Sequence, residues 1–388
     1  MDFRIFLLAL ATFVTGTAEN IVIGILPEVA SGLDIPIGLA GQLTAVFSIT
    51  FALIAPMALF VATRLERKAM LCLALLLFIA SNLLAAASAS YAVLFMARIG
   101  MAAASAVACL VATMLAAELA GPAMRGRAIG IIFMGISGSM VLGVPVGMLI
   151  GGHFGWRAVF VALALLAAAV LLICLRTLPT VGHGQPAASG YRQHLRSLPL
   201  VAAQLVSILM IGGHFMLFAY LAPYLTDVVG VAQGSITLFF LAFGIAGVCG
   251  GYCGGWLADV AGPRLAIVAT PLAYLVALLA IPLAAKVPGL FIIAMMAWAM
   301  ISWMISPVVQ SFLIATGPQT AEAGVGLNLS AMHVGVGLGT ALGGSALAWL
   351  PLQSLPWLGG VLAAGAVAAA FVAVHRGAQT TWMTQPDL

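Results

Sequence analysis

Twelve long apolar runs constrain this chain more than any other feature of its sequence. A helix needs about 20 apolar residues to cross the hydrocarbon core of a bilayer. The runs lie at approximately residues 4–29, 37–62, 69–88, 91–118, 127–152, 157–178, 200–225, 233–258, 265–285, 288–314, 323–349 and 357–375. They are mostly continuous and rich in Leu, Ala, Gly and Met, unlike the alternating strands of an outer-membrane barrel. We therefore predict an all-α integral membrane protein with twelve transmembrane helices.

Composition excludes a soluble protein. Of the 388 residues, 64% are hydrophobic and only 6% are charged, whereas soluble domains carry about 25% charged residues. Such a chain cannot present a wetted surface on all sides. The first run is too long for a signal peptide and lacks a small-residue cleavage pattern after a short apolar core. We expect it to be retained as the first helix.

The positions of Lys and Arg predict the orientation in the membrane, because basic residues are enriched in cytoplasmic loops. With the N-terminus inside, eleven of the 14 basic residues lie on the cytoplasmic side: Arg4, Arg64, Arg67, Lys68, Arg125, Arg127, Arg176, Arg192, Arg196, Arg264 and Arg376. Arg157 and Lys286 lie outside and Arg98 lies within a run. Twelve spans then place both termini in the cytoplasm. The net charge of +4 is thus a topology signal, and nothing suggests nucleic-acid binding.

The longest polar stretch, residues 179–197, separates two sets of six runs. Several Gly, Pro and basic positions recur 196 residues later in the chain: Gly16 and Gly212, Pro27 and Pro223, Lys68 and Arg264, Gly143 and Gly339, Gly147 and Gly343. The shared offset and the equal number of runs indicate an internal repeat. We predict two pseudo-symmetric six-helix bundles, residues 1–178 and 198–388 with a short cytoplasmic tail, joined by a cytoplasmic linker, residues 179–197.

A carboxylate and an amide, Glu19 and Asn20, lie near the middle of the first run. A charged acid at that depth costs at least about 2.5–3.5 kcal/mol, and protonation is the usual escape because burial favours the neutral form. We interpret Glu19 as a proton-linked group in a substrate cavity; a permanently neutral, hydrogen-bonded carboxyl is the alternative. Arg98 in the fourth run needs buried acceptors, for which Glu19, backbone carbonyls and Asn82 compete.

Polar and aromatic residues in three other runs, the seventh, tenth and eleventh, suggest a cavity lining together with the first run. His214 and Phe218 lie four residues apart and share a helix face, as do Trp303, Ser306 and Gln310. Asn328 and His333 follow in the eleventh run. Taken singly, a His or an amide in such a run is more often a satisfied interhelical contact than a ligand contact, but together these residues outline a cavity. Amides and imidazoles can bond the edge of a heterocycle while aromatic rings stack on its face. A cavity almost free of fixed charge favours a neutral, planar, polar solute.

Glycines at four-residue spacing predict close helix packing. They are Gly143, Gly147 and Gly151 in the fifth run, Gly247, Gly251 and Gly255 in the eighth, and Gly335, Gly339 and Gly343 in the eleventh. Pro145 lies between the first two of these glycines. It removes a backbone donor and favours a bend.

Nothing in the sequence indicates an enzyme, a cofactor or a metal site. The five cysteines all lie in apolar runs, where small packing residues are the simplest interpretation. Cys249 and Cys253 are four residues apart, but no His or acid accompanies them. The chain carries neither a metal-ligand cluster nor a phosphate-binding glycine loop. The glycine pattern around Gly335 and Gly337 lies inside a predicted transmembrane helix, where it indicates packing.

The sequence resembles major facilitator transporters. The segment GGWLADVAGPRLAI (254–267) resembles a loop motif of that family through Gly255, Leu257, Ala258, Asp259 and Arg264. The first copy, LFVATRLERKAM (59–70), has Thr63 where the acid belongs, so a latch there is either lost or uses Glu66. Arg98 matches the family's intramembrane arginine, and the glycines around Pro145 resemble the fifth-helix motif of its antiporters. The resemblance implies alternating access with a substrate site near the midplane, at the repeat interface.

A narrower resemblance is to bacterial purine efflux pumps of the drug:H+ antiporter branch. It is carried by TAENIVIGILPEV, LAGQLTAVFS, RLERKAML, RGRAIGIIFMGISG, LGVPVGM, GHFMLFAYLAPYL and NLSAMHVGVGLG. The resemblance implies proton-driven export of purine bases, nucleosides or analogues by a monomer in the bacterial cytoplasmic membrane. Relatives in the same branch resemble arabinose and chloramphenicol exporters, so a sugar or multidrug exporter and an uncoupled facilitator stay open.

The expected mechanism couples substrate release to proton uptake. Facing out, Glu19 takes up a proton and releases the substrate. Facing in, it loses the proton, and the site binds substrate. The substrate-binding residues are expected to be Glu19, Asn20, His214, Phe218, Trp303, Gln310 and Asn328. His214 and His333 are the alternative proton carriers. Arg98, Gly143, Pro145, Gly147, Asp259 and Arg264 are expected to have structural or conformational roles.

Overall fold

A computed structural model describes residues 2–62, 65–179 and 190–381. The first seven helices are α1 (Phe3–Gly24), α2 (Leu26–Gly32), α3 (Ile37–Ala62), α4 (Arg67–Ala86), α5 (Tyr91–Gly138), α6 (Val144–Phe154) and α7 (Trp156–Thr177). They are followed by α8 (Tyr191–Arg196), α9 (Leu198–Phe218), α10 (Leu221–Tyr224), α11 (Ile236–Ala261), α12 (Pro263–Ala284), α13 (Pro288–Trp303), α14 (Ile305–Thr316), α15 (Ala321–Ala346) and α16 (Leu355–Thr381).

The predicted fold class is confirmed. Over the described ranges the chain is all-helical, and twelve helical segments are long and apolar enough to cross a membrane. Several spans differ in detail from simple helices. The fourth and fifth spans, Tyr91–Gly121 and Arg127–Phe154, are continuous except where Gly121 adopts a φ of 67°. The tenth span, Gly289–Thr316, consists of α13 and α14, which meet at Met304.

Prolines mark two of the places where helices change direction or pitch. The first run ends as a helix at Gly24, and Pro27 lies in the first turn of α2, where the N–H that proline lacks would have no partner within the helix. In the fifth span a π turn, Ser139–Gly143, precedes α6, which has Pro145 in its first turn. The ring of Pro145 cannot continue a regular hydrogen-bond ladder, so the π turn absorbs the misfit.

The chain divides into two compact units. Unit 1 comprises Met1–Pro186, Ala219–Pro223 and Ala232–Leu241. Unit 2 comprises Ala187–Phe218, Tyr224–Val231 and Ala242–Leu388. Unit 1 thus holds the first six spans together with two short segments from the second half of the chain. The bundle boundaries at residues 178 and 198 stay a prediction.

In unit 1, α1 lies against the segment formed by the end of α5, the π turn and α6. A Cβ atom on Gly143 would overlap the side chain of Thr17, and one on Gly147 would overlap the side chain of Ile21. The two backbones therefore approach more closely than ordinary side chains would permit. This contact, which we call the unit 1 seam, passes beside the middle of α1.

In unit 2, α9 lies against α15 in the same manner. A Cβ atom on Gly339 would overlap the backbone of Gly212, and one on Gly335 would lie 2.6 Å from the carbonyl oxygen of Ile208. We call this contact the unit 2 seam. At its closest point it requires glycine on α15, whereas a Cβ atom on Gly212 of α9 would lie at ordinary van der Waals distance from its neighbours.

The two seams occupy equivalent positions in the repeat. A Cβ on Gly16 would lie 2.6 Å from Oγ of Ser139, and a Cβ on Gly212 would lie 3.5 Å from the carbonyl oxygen of Gly335. Gly212 and Gly335 follow Gly16 and Ser139 by 196 residues each. The 196-residue offset therefore relates the contact between α1 and the π turn in unit 1 to the contact between α9 and α15 in unit 2.

The glycines of α11 pack differently from the prediction. Nothing lies within 4 Å of a Cβ atom placed on Gly251 or Gly255. The close contacts are instead made by Gly247 against Trp303, by Gly250 against the Met300 carbonyl and by Gly254 against the Met304 carbonyl. The four-residue spacing selected the wrong helix face, because the packed face uses spacings of three and four residues.

Basic side chains cap α4 and α7 reciprocally. Lys68 at the start of α4 donates from Nζ to the carbonyl oxygen of Leu178, 2.6 Å away, just beyond the end of α7. Arg157 at the start of α7 donates from Nη2 to the carbonyl oxygen of Ser88, 2.9 Å away, just beyond the end of α4. Each cation satisfies a terminal carbonyl and opposes the negative end of the helix dipole. Both ends of this antiparallel pair are thereby fixed.

The two loop motifs adopt different local structures. Thr63 lies outside the described residues, and the Glu66 carboxylate caps α4 by accepting from the backbone N–H groups of Lys68 and Ala69. In the second copy Asp259 and Arg264 are exposed at the junction of α11 and α12. Gly262 forms that junction with a φ of 81°, a backbone conformation that favours glycine.

The unit 2 seam predicts a sharp difference between two glycines. Gly339→Ala would force a methyl group into the Gly212 backbone, and overpacking of this kind typically costs about 1–3 kcal/mol. Gly251→Ala meets open space and gains helix propensity of about 1 kcal/mol. In detergent, the thermal unfolding midpoint should fall for Gly339→Ala and hold or rise for Gly251→Ala. Equal midpoints for the two variants would contradict the seam.

Candidate functional site

Glu19 and Asn20 lie on adjacent positions of α1, in unit 1. Glu19 is partly buried, and Asn20 is buried. The Asn20 amide donates to the carbonyl oxygen of Gly16, 3.3 Å away, on its own helix. This local bond satisfies part of the amide within α1. Glu19 therefore supplies the more accessible polar group of the pair.

Arg98 on α5 is completely buried, with 0% exposure. Its Nε atom donates to the carbonyl oxygen of Leu43 at 3.0 Å, and its Nη2 atom donates to the backbone carbonyl oxygen of Glu19 at 3.1 Å. Its Nη1 atom donates to the carbonyl oxygen of Ala18. The guanidinium carbon also lies 4.3 Å from the centre of the Phe47 ring, within cation–π distance.

These contacts show how the structure holds a buried cation. Three carbonyl dipoles from α1 and α3 and one aromatic face surround the guanidinium. Asn82, a competitor considered from the sequence, donates instead to the Phe78 carbonyl on its own helix. The Glu19 carboxylate is also close enough to act on Arg98 electrostatically. Arg98 thereby ties three helices together at the position of Glu19.

The opposite side of α1 is fixed by the unit 1 seam. Gly16 and Thr17, three and two residues before Glu19, contact Ser139 and Gly143. The π turn and Pro145 follow directly in the chain. The candidate residues Arg98 and Gly143 thus contact the segment of α1 that carries the carboxyl, and Pro145 follows Gly143 by two residues. This arrangement suits residues that hold Glu19 in position better than residues that bind substrate or a proton themselves.

In unit 2, His214 on α9 lies inside a cluster of aromatic rings with 0% exposure. Its ring stacks on Phe218 with a centroid distance of 5.1 Å and lies 4.8 Å from the Trp298 ring centre. Phe243 and Trp303 complete the cluster at 5.7 and 6.4 Å. We call these five residues the His214 cluster. Three helical segments, α9, α11 and α13, contribute to it.

One polar atom of the His214 cluster is left without a partner. Nδ1 of His214 lies 2.7 Å from Oγ of Ser302, whereas Nε2 is buried with no hydrogen-bond partner among the described residues. Leaving a buried polar atom unpaired costs about 1–3 kcal/mol. Such an orphan beside aromatic faces suits the edge of a flat, polar ligand ring. The cluster is closely packed, so a ligand needs movement of α9, α11 or α13 to enter.

Gln310 and His333 make contacts outside the His214 cluster, and Trp303 of the cluster makes one further contact. Gln310 on α14 is partly exposed and donates to Oγ of Ser306 at 3.1 Å. Trp303 packs on Gly247 at the end of α13. His333 is paired through Nδ1 with the Leu329 carbonyl on its own helix, at 2.9 Å.

Asn328 belongs to a second polar group of unit 2. Its Nδ2 atom donates to Oε1 of Gln204 and to Oγ of Ser207, both at 2.9 Å. Ser207 precedes His214 by seven residues on α9, roughly 10 Å along the helix axis. The structure therefore does not bring Asn328 beside His214, and its amide group serves an interhelical contact.

The sequence does not single out every residue of these groups. Ser302 and Trp298 are single residues in an apolar run, and such residues carry no distinguishing pattern. Gln204 and Ser207 are three residues apart and share a helix face, a signal that could have identified them. Among the described residues no three His, Cys, Asp or Glu side chains are grouped to hold a metal ion.

The Arg98 contacts predict that Lys cannot replace Arg. A lysine ammonium is a compact donor and cannot span carbonyls on two helices as a guanidinium does. Each charge-assisted bond lost is worth about 1.5–3 kcal/mol, so Arg98→Lys should lower the thermal unfolding midpoint markedly. Arg176→Lys, at an exposed position, should leave it unchanged. Identical stability of Arg98→Lys and the wild type would disprove the bracing role.

Comparison with known proteins agrees with this architecture. Residues 8–323 match the family described as the Major Facilitator Superfamily. The MFS-type transporter YbcL of Bacillus subtilis (strain 168) is 30% identical over 357 residues, covering 92% of each chain. A probable sugar efflux transporter of Mannheimia succiniciproducens is 27% identical over 369 residues, covering 93% of this chain and 91% of the relative.

Solved structures share the fold at low sequence identity. A bacterial homologue of the human lysosomal transporter Spinster, crystallised in an inward-facing and occupied conformation, matches with a TM-score of 0.76. It is 18% identical, and the match covers 98% of this chain and 94% of that one. A D-xylose–proton symporter matches with a TM-score of 0.75 at 15% identity, over 95% and 96% of the two chains. The family match over residues 8–323 and the relative at 30% identity show that the chain belongs to the major facilitator superfamily, a family of membrane transporters.

Proposed function

We propose that the protein is a proton-coupled exporter of neutral, planar, polar solutes, with purine bases, nucleosides or their analogues as the first candidates. The observation that carries the proposal is Glu19, a partly buried carboxyl in a membrane-spanning helix that Arg98 and the unit 1 seam hold in place. An ionisable group inside a membrane-spanning segment indicates a proton or substrate pathway.

The His214 cluster supports the choice of substrate class. Aromatic faces bind planar rings by stacking, and the unpaired Nε2 atom of His214 can bond a ring edge. Neither feature suits an anion such as a sugar phosphate, since no basic group belongs to the cluster other than the imidazole itself. The sequence resemblance to purine exporters agrees with this chemistry.

Proton coupling requires only that two conformations differ in affinity for both ligands. In the proposed cycle, outward-facing protein takes up a proton on Glu19 and releases the substrate. Inward-facing protein loses that proton and binds the substrate again. Arg98 is a positioning residue in this scheme, because its bonds to the carbonyls of Ala18 and Glu19 fix the segment that carries the carboxyl.

The setting of this activity is part of the proposal. The distribution of the basic residues supports a cytoplasmic location for both termini, with the protein in the cytoplasmic membrane of a bacterium. Two six-helix bundles, residues 1–178 and 198–388, would move as the working halves of a monomer. Protons, substrate and lipid are then the partners, with no cofactor and no nucleic acid.

A sugar exporter is the second candidate. The relative from Mannheimia succiniciproducens is called a probable sugar efflux transporter and aligns over 93% of this chain. Sugars also stack on aromatic faces but need more hydrogen-bond partners than the His214 cluster offers. A side-by-side ligand comparison separates the two candidates.

Gradient-driven uptake tests the role of Glu19. Proteoliposomes with an acidic lumen should accumulate labelled adenine or hypoxanthine, because outward proton flow drives substrate inward. Glu19→Gln should abolish this accumulation, because its uncharged amide resembles the protonated carboxyl that releases the substrate. Asp227→Asn, at an exposed site, is the matched control and should behave as the wild type.

Three outcomes would redirect the proposal. An unchanged pH dependence in Glu19→Gln would move the proton role to His214 or His333. Equal wild-type flux with and without a gradient would establish a passive facilitator. Accumulation of arabinose or chloramphenicol, with no purine transport, would establish a sugar or drug exporter.

Ligand-induced thermal stabilisation tests the His214 cluster. At a concentration of 100 times Kd a ligand stabilises its protein by about 2.7 kcal/mol. His214→Phe keeps an aromatic ring but removes the polar edge, so adenine affinity should fall about tenfold or more, which corresponds to 1.4 kcal/mol. His153→Gln, at an exposed site, should retain the wild-type shift. Full affinity in His214→Phe would exclude the imidazole from the binding site.

A further inference from the structure

The short helix α8, at the end of the predicted linker, packs against α9 and α15 within unit 2. Its preceding residue, Gly190, adopts a φ of 119°, and a Cβ there would lie 3.5 Å from Ala323 of α15. His194, in the middle of α8, is buried with 0% exposure although its neighbours Gln193 and Leu195 are exposed. A six-residue helix that buries an imidazole is held by specific contacts rather than by apolar area.

The His194 ring fits a position that only glycine leaves open. A Cβ on Gly324 of α15 would lie 2.6 Å from Cε1 of His194. Nδ1 of His194 is 3.3 Å from Oγ1 of Thr320, and Nε2 is 3.2 Å from Nε2 of Gln204 on α9. The imidazole therefore joins α8 to α9 and to the start of α15.

The surrounding bonds fix the protonation state of this ring. The Gln204 amide nitrogen donates to the carbonyl oxygen of Gly324 at 2.8 Å, and its oxygen accepts from Asn328 at 2.9 Å. Turning the amide over would break both bonds. The nitrogen of Gln204 is therefore a donor toward His194, and Nε2 of His194 must accept. Protonated imidazole has a hydrogen on both nitrogens and cannot accept.

We propose that α8 is a pH-sensitive latch, docked on α9 and α15 while His194 is neutral and released when its Nε2 atom takes up a proton. Protonation would place two donors, Nε2 of His194 and Nε2 of Gln204, against each other and expel the ring from the Gly324 site. Gln204 and Asn328 would then lose their fixed orientation at this end of α9 and α15. The inference does not depend on the transported substrate.

Burial is the cause that lowers the pKa of His194 from its ordinary value. On α8 itself, Arg192 and Arg196 are exposed and Tyr191 is partly buried beside Gly326. The facing part of α9 and residues 318–320 carry no titratable group. On α15, the Glu322 side chain lies outside the described residues and His333 is nine residues beyond Gly324.

The sign of the pH effect follows from that lowered pKa. Undocked α8 exposes an imidazole with a pKa of about 6.5, whereas docked α8 disfavours the charged form. Docking is therefore complete above about pH 6.5 and weakens as the pH falls below it. The equilibrium should shift about tenfold per pH unit until the lower, docked pKa is reached.

Hydrogen–deuterium exchange of full-length protein in nanodiscs tests the latch. After correction for intrinsic exchange rates, the protection of residues 191–196 in the wild type should fall about tenfold per pH unit below about pH 6.5. His194→Gln removes the titrating group and should show no such pH dependence. Gly324→Ala should lose protection at every pH, because its methyl group occupies the ring site. His375→Gln, at an exposed histidine of α16, is the matched control.

Two results would overturn the proposal. One is wild-type protection that stays constant from pH 8 to pH 5. The other is a pH dependence that survives in His194→Gln and vanishes in Glu322→Gln, which would assign the titration to that carboxyl. Retained wild-type behaviour in His375→Gln together with a flat profile in His194→Gln would establish the latch.

Discussion

Hydrocarbon offers no hydrogen-bond partner, so the protein itself must satisfy the backbone polar groups that enter it, and a polar side chain left unpaired there carries an energetic cost. Helices meet this demand for the backbone. Small polar side chains meet it locally, as where Thr17 donates to the carbonyl oxygen of Phe13 at 2.8 Å on its own helix. Arg98 is the most demanding case, because its charge needs several acceptors at once. Its bonds to the backbones of α1 and α3 are therefore a structural requirement as well as a brace.

The same requirement explains the glycine seams. Apolar side chains gain little by leaving lipid for a protein interior, so helices in membranes associate through close packing. Gly143 against Thr17 and Gly339 against Gly212 bring helices together in unit 1 and in unit 2. Equivalent glycines in the two units show that the repeat preserves this contact. Each seam passes a polar region, Glu19 in unit 1 and the neighbourhood of His214 in unit 2.

The polar residues of the two units have different physical characters. Unit 1 holds a carboxyl and a buried guanidinium, both suited to electrostatic work. Unit 2 holds neutral imidazole, amide and aromatic groups. The His214 cluster leaves one nitrogen unpaired, whereas the group around His194 and Gln204 engages both nitrogens of the His194 ring and both polar atoms of the Gln204 amide. An unpaired polar atom suits binding, and a paired network suits a two-state contact.

The sequence alone determined the twelve spans and the family, because apolar length and loop motifs are local properties of the chain. It also identified Glu19, Arg98 and the glycines at an offset of 196. The tertiary structure decided which acceptors surround Arg98, which face of α11 packs, and that Asn328 bonds Gln204 rather than joining His214. These outcomes depend on the rotation of each helix about its axis. Neighbouring helices set that rotation through contacts between residues distant in the chain, so no single run of sequence contains it.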